Sequence, residues 1–208
     1  MKPKVSVLIP AYNAEQTIGK AINSIPNLKD VEIIVWSDGS DDNTFEVAQE
    51  ALYHRNNPHI CGISNENHGV AYATNRLIDR AQGEYVVLLG SDDWFLITAF
   101  TKALKLLNGQ YDFVYFDLQI NDGTVMYLTP ESKITYCGST KFMRRAFIGD
   151  TRCQESKRAG EDWFFYQELL QKNPTELFTH KIIKHYNFPR EGSLSWKQRN
   201  GLFTQEEL

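Results

Sequence analysis

Long hydrophobic runs are missing from this 208-residue chain. Its apolar stretches, Val5–Ile9, Val31–Trp36 and Tyr85–Leu89, have the length of strands, well short of the ~20 apolar residues that a membrane-spanning helix needs. A secretory leader is not expected, because Pro3 and Lys4 are followed by only five apolar-leaning residues before Pro10. Cysteine is scarce. Cys61, Cys137 and Cys153 are an odd number at wide spacing, which fits neither a disulfide framework nor a thiolate zinc site and reads as reduced thiols of a cytoplasmic protein. The five histidines make no HExxH pair, so zinc held by histidine is not expected. Nor is there a basic run that tracks a phosphate backbone, and 22 Lys+Arg face 26 Asp+Glu for a net charge of −4. Nucleic acid is therefore not an expected partner. A Gly-x-x-x-x-Gly-Lys loop, internal repeats, low-complexity stretches and linkers are also missing.

With 42% hydrophobic residues over 208 positions, the chain can bury one sizeable core, and a single domain over residues 1–208 is expected. The first half alternates β-branched runs with amphipathic segments, which predicts strand-helix-strand units and a mostly parallel sheet flanked by helices. Strands are expected at Val5–Ile9, Val31–Trp36, Ile60–Ile63 and Tyr85–Leu89. Between them, Asn13 and Gln16 suggest a capping box for a helix over 15–24, Ser40 to Asn43 offer N-caps for a helix to about Leu52, and a third helix spans 69–81 with Gly83 as its stop. Beyond residue 97 the expected order is a helix at 98–107, a strand at 113–118, a hairpin through Asn121-Asp122-Gly123, helices at 139–147 and 161–171, and a strand at 181–187.

In open parallel sheets, ligands bind beyond the carboxyl ends of the strands. Three of these strands end in polar loops: Pro10-Ala11-Tyr12-Asn13, Ser37-Asp38-Gly39-Ser40 and Gly90-Ser91-Asp92-Asp93. An Asp-Asp pair after a buried strand suits Mg²⁺ or Mn²⁺, or else caps the following helix. Asp38 is not needed for the turn that Ser40 can cap. Its carboxylate can accept a base N–H while Tyr12 stacks on the ring, a site for a uracil-like base.

These loops, together with Asn67-His68-Gly69, Ala73-Thr74-Asn75 and Gly83-Glu84-Tyr85, follow one another in an order and spacing that resemble the family 2 glycosyltransferases of GT-A fold over residues 4–95. The resemblance implies a Rossmann-like α/β domain with a nucleotide-sugar half (about 1–97) and an acceptor half (about 98–208). It implies donor contacts from Pro10, Tyr12, Asn13, Asp38, Gly69, Asn75, Asp92 (ribose) and Arg190, and a Mn²⁺ or Mg²⁺ ion on Asp93. Gly160-Glu161-Asp162-Trp163 resembles the family's Glu-Asp motif, so Asp162 is the implied general base with Glu161 beside it, although both acids also suit a helix N-terminus.

The chain departs from the family where Ser37 replaces an Asp, Gly90 an acid near the metal, and Thr74 an Arg whose diphosphate contact Arg76 or Arg190 would have to supply. His185, Arg190 and Ser193 fall where the family folds a flap over the diphosphate. The Gln-x-x-Arg-Trp motif of polymerising members is absent, which favours transfer of single sugars. The expected activity is inverting, metal-dependent transfer from a nucleotide-sugar, a UDP-sugar by the base site, to a hydroxyl of a saccharide or lipid-linked saccharide, in bacterial cell-surface polysaccharide synthesis. Contact with a membrane surface stays open. The alternatives are a non-catalytic nucleotide-sugar-binding module and a metal-dependent phosphotransferase, the latter disfavoured because no Asp-x-Asp follows the first strand.

Overall fold

The computed structural model describes residues 2–132, 138–156, 161–188 and 191. Its first half is β1 (Val5–Ala11), α1 (Ile18–Asn23), β2 (Val31–Asp38), α2 (Thr44–Tyr53), β3 (His59–Ser64), α3 (Val70–Arg80) and β4 (Tyr85–Leu88). The second half runs through β5 (Trp94–Phe95), α4 (Ile97–Ala103), β6 (Phe113–Ile120), β7 (Val125–Met126), β8 (Lys141–Arg144), α5 (Arg145–Ile148), α6 (Glu161–Leu170) and β9 (Glu176–Tyr186), with short 3₁₀ turns at Leu104–Leu106 and Gly138–Thr140.

Among the described residues the sheet order is β3-β2-β1-β4-β8-β6-β9-β5, with β7 on β6. The first four strands are parallel. β8 joins β4 and β6 antiparallel, and β6 pairs with β9 in parallel. Every residue of β2 is buried, as expected of a parallel strand covered on both faces. Ala71, Ala73, Leu77 and Ile78 supply the buried face of α3. Because β2, β1 and β4 are adjacent and parallel, with Ala11 opposite Ser37 and Leu8 opposite Leu88, the loops after all three emerge along one edge of the sheet.

Three local expectations change. The Asn13-Gln16 capping box does not form. Thr17 precedes α1 without a side-chain cap, and Asn13, at φ 47°, instead ties the loops after β1 and β2 together. Residues 139–147 are not one helix but a turn, β8 and α5. Phe142 and Met143 are both buried in that strand, and a short run buried on both faces carries no period that separates strand from helix. α3 ends at Arg80 with Ala81 already extended, and Gly83 belongs to the entry into β4, where its N–H donates to Ser6 Oγ at 2.8 Å.

Candidate active site

The loops after β1 and β2 are stitched into one wall. Asn13 N–H donates to Ser40 Oγ at 3.1 Å and Asn13 Oδ1 accepts Asp41 N–H at 2.9 Å. Ala14 N–H donates to Thr44 Oγ1 at 2.7 Å, and Ser37 Oγ, where the family has a carboxylate, donates to Ser40 Oγ at 3.0 Å. Asp38 stands at the head of this wall. Its Oδ2 accepts the N–H groups of His68 at 2.9 Å and Gly69 at 2.8 Å. Its Oδ1 is buried without a hydrogen-bond partner, and His68 Nδ1 lies 3.4 Å away. The neighbouring residue makes this approach feasible: Gly39 has φ +66°, and a Cβ there would lie 2.1 Å from the carbonyl carbon of Glu66, so the 66–69 segment reaches Asp38 only past a glycine. Tyr12, at the end of the adjacent strand, is 46% exposed and free to present its ring.

Pro10 is paired opposite Trp36 inside the sheet. Gly69 acts on Asp38 through its N–H. Asn75, expected at the nucleotide, is not brought there. Its amide donates to Cys153 O at 3.0 Å and Glu155 Oε1 at 2.9 Å, and accepts Cys153 N–H at 2.8 Å, so it fastens α3 to the 153–155 segment. Thr74 is buried. Arg76 lies over the Tyr72 ring at 4.8 Å and 3.7 Å from Glu155, with its Nε buried and without a hydrogen-bond partner. Arg190 and Ser193 lie outside the described residues.

After β4, the two acids part. Asp92 is half-buried, whereas Asp93 is 3% exposed and has both oxygens engaged. Oδ2 meets Lys184 Nζ at 2.6 Å, and Oδ1 accepts Asn187 N–H at 2.9 Å. Burial pushes the Asp93 carboxyl up, and the Lys184 ammonium beside it pulls the other way. Lys184 itself is 0% exposed and donates also to Ser139 Oγ at 2.7 Å. A Cβ at Gly90 would stand 2.8 Å from Asp93 Oδ2 and 3.0 Å from Asp92 Oδ1, so a third acid at that position would have to displace the other two. Among the described residues, no three His, Cys, Asp or Glu side chains gather as metal ligands. The Mn²⁺ or Mg²⁺ expected on Asp93 therefore meets residues that do not fit it: the carboxylate is already held by a fixed cation. Beside this pair, His185 stacks on Trp94 at 4.0 Å, with its Nε2 3.0 Å from Asn121 Oδ1.

Asp162 sits in the first turn of α6. Burial raises its pKa, against the N–H groups of Trp163 and Gly138 and the Lys141 ammonium, which favour the charged form. Glu161 opens the helix, and its side chain lies outside the described residues. The turn Gly138–Thr140 joins the two acidic centres, since Gly138 N–H serves Asp162 and Ser139 Oγ serves the Lys184–Asp93 pair. Lys184, Ser139 and Lys141 were not singled out from sequence. The available signal was a lysine inside the apolar strand run Ile182-Ile183-Lys184, a place where a charge needs a partner.

This mixed α/β architecture is the GT-A fold. It superposes on S. aureus TarS 1–349 in complex with UDP-GlcNAc with a TM-score of 0.76 at 23% identity, over 91% of this chain and 60% of that one. The mannosyltransferase PcManGT from Pyrobaculum calidifontis, in complex with GDP-Man and Mn²⁺, gives 0.75 at 16% identity over 96% and 61%. Residues 6–181 match the glycosyl transferase family 2. The chain belongs to that family. One relative is the GalNAc(5)-diNAcBac-PP-undecaprenol beta-1,3-glucosyltransferase of Campylobacter jejuni, 29% identical over 93% of this chain and 67% of its own. The chondroitin synthase of Pasteurella multocida is 40% identical over 50% of this chain, which spans only 11% of that protein. No described helix is long and apolar enough to cross a membrane.

Proposed function

We propose that this chain transfers one sugar, with inversion, from a UDP-sugar to a hydroxyl of a saccharide or lipid-linked saccharide in bacterial cell-surface polysaccharide synthesis. One observation carries the donor assignment: the buried Asp38 Oδ1, unpartnered beside exposed Tyr12. A buried acceptor without a hydrogen bond is costly, and the imide N–H of uracil supplies that bond, with the base stacked on Tyr12, once the His68 ring 3.4 Å from Oδ1 turns aside. The UDP-GlcNAc named for TarS and the lipid-linked acceptor in the name of the Campylobacter relative support the same substrate classes.

Asp92 meets the ribose, and Asp162 takes the proton of the acceptor hydroxyl as it attacks the anomeric carbon. Burial raises its pKa, which makes its carboxylate a stronger base than an ordinary one. Attack opposite the leaving nucleoside diphosphate inverts the centre. Residues 1–97 are the donor half and 98–208 the acceptor half of one domain, working in the cytoplasm with its donor. Asp93 is paired with Lys184, so no step of the proposed reaction runs through a Mn²⁺ or Mg²⁺ ion on it. Calorimetric titration with UDP, GDP and dTDP, paired with an assay for acceptor-dependent release of nucleoside diphosphate, tests it. UDP is expected to bind most tightly. Tighter GDP binding, or no release with any acceptor class, refutes it.

A further inference from the structure

Resting on the donor reading above, we propose that the cation serving Asp93 in this chain is the Lys184 ammonium, and that Lys184 makes nucleoside diphosphate binding independent of a divalent metal. Three features of the geometry support the assignment. The contact is a direct ion pair of 2.6 Å between groups that are 0% and 3% exposed, so solvent does not dissipate it. The ammonium is fixed from a second side by Ser139 Oγ at 2.7 Å, and the carboxylate by Asn187 N–H at 2.9 Å. A lysine so held does not swing away to admit an ion without breaking both anchors. The third feature is Gly90, where the close approach of both Asp carboxylates to the Cβ position leaves no room for a further acid.

The electrostatic logic is simple. A diphosphate arriving beside two carboxylates is repelled unless a positive charge stands between them. A divalent ion supplies that charge when a carboxylate is free to hold it. Here the charge is covalently part of β9 and already sits on Asp93. Lys184 is thus a positioning and neutralising residue acting through Asp93, not a catalytic residue. The neighbouring cation, Lys20, is turned elsewhere, with its Nζ 3.0 Å from the Trp94 ring centroid.

The experiment titrates UDP into the full chain in excess EDTA and again in excess Mn²⁺, for the wild type and for Lys184→Gln. Wild-type affinity is expected to agree within about threefold between the two buffers. Lys184→Gln, which keeps hydrogen-bonding reach but not charge, is expected to bind about tenfold or more weakly in EDTA and to recover on adding Mn²⁺, because Asp93 is then free to take the ion. A general loss of structure would lower affinity in both buffers alike, so the Mn²⁺ rescue is the discriminating readout. Wild-type binding that requires Mn²⁺ overturns the inference while leaving the donor reading intact. That comparison needs no variant and decides the matter even where Lys184→Gln fails to fold. Absence of UDP binding in both buffers overturns the donor reading and this inference with it.

Discussion

Replacing Asp38 by Asn tests the base site without dismantling the wall that carries it. In the wild type one carboxylate oxygen accepts both the His68 and the Gly69 N–H, at 2.9 and 2.8 Å, and the other is buried and unpartnered. The asparagine amide has only one acceptor, and two N–H groups already claim it, so Oδ1 must face His68 and Gly69. The NH₂ group is then forced into the position of the former orphan oxygen. His68 Nδ1, 3.4 Å from that oxygen, can accept one of its hydrogens. The fold contacts survive, and melting is expected to shift little. Towards the nucleotide the polarity is inverted, with a donor now facing the uracil imide N–H. The lost charge-assisted bond is worth about 1.5–3 kcal/mol, which corresponds to roughly a ten- to hundred-fold weaker Kd for UDP. Cytosine carries a ring acceptor at the same position, so CDP is expected to lose much less than UDP, and the UDP-to-CDP preference to narrow or reverse. Calorimetry with both nucleotides on both proteins, beside thermal melts, gives the answer. Unchanged UDP affinity would refute the base assignment, and equal loss of both nucleotides with a lowered melting temperature would make Asp38 structural.

Asp162→Asn is expected to cut transfer by ~10²–10⁴-fold with donor binding kept, measured as acceptor-dependent nucleoside diphosphate release beside a UDP titration; near-normal turnover would exclude it as the base. Because a base must be deprotonated and burial raises this carboxyl, wild-type kcat/KM should fall as pH drops through a value above the ordinary carboxylate range. An acid limb at or below that range in a pH-rate profile would contradict the reading. Lys184→Met leaves the Asp93 carboxylate buried without its partner and is expected to cost about 3–5 kcal/mol in a urea titration, against less than that for Lys184→Arg. Asn75→Ala, which breaks three bonds to the 153–155 segment, should lower the melting temperature while leaving the UDP Kd unchanged; a weakened Kd in a protein that melts normally would return Asn75 to the nucleotide.

The first half was readable because its signals are local. β-branched runs bounded by polar loops define β1, β2 and β4, and the candidate residues Tyr12, Asp38 and Asp93 lie within five residues of their strands' ends. The second half was less readable because its strands owe their state to distant partners. β8 is a strand by virtue of β4 and β6 on either side, and β9 begins at Glu176 by pairing opposite Phe113, well before the 181 expected from its apolar run. The irregularity in β9 has the same origin: His180 adopts φ 49° where the β6–β9 register shifts around Asp117, and no residue spacing announces such a bulge. Asn75 misled for a related reason. A motif position records that an amide is present, while its partners, Cys153 and Glu155, lie 78 and 80 residues away.

The turn Gly138–Thr140 shows what such long-range assembly does for function. It lies between β4 and α6: a Cβ on Gly138 would stand 2.7 Å from Leu88 Cδ1 and 3.2 Å from the Tyr166 hydroxyl, so only the bare backbone passes there. That close passage lets Gly138 N–H reach Asp162 on α6 while the next residue's hydroxyl reaches Lys184 on β9. The proposed base, Asp162, and the Lys184–Asp93 pair proposed to face the diphosphate are thus held by consecutive residues of one turn, whose relative positions the covalent chain fixes to within a residue's length of about 3.8 Å. Gly138→Ala should therefore disturb both centres together, weakening UDP binding and lowering turnover at saturating donor. Asp162→Asn and Lys184→Gln each disturb one. If Gly138→Ala lowers turnover alone and leaves UDP affinity untouched in titrations of a folded protein, the two centres are not coupled through this turn, and their proximity has another cause.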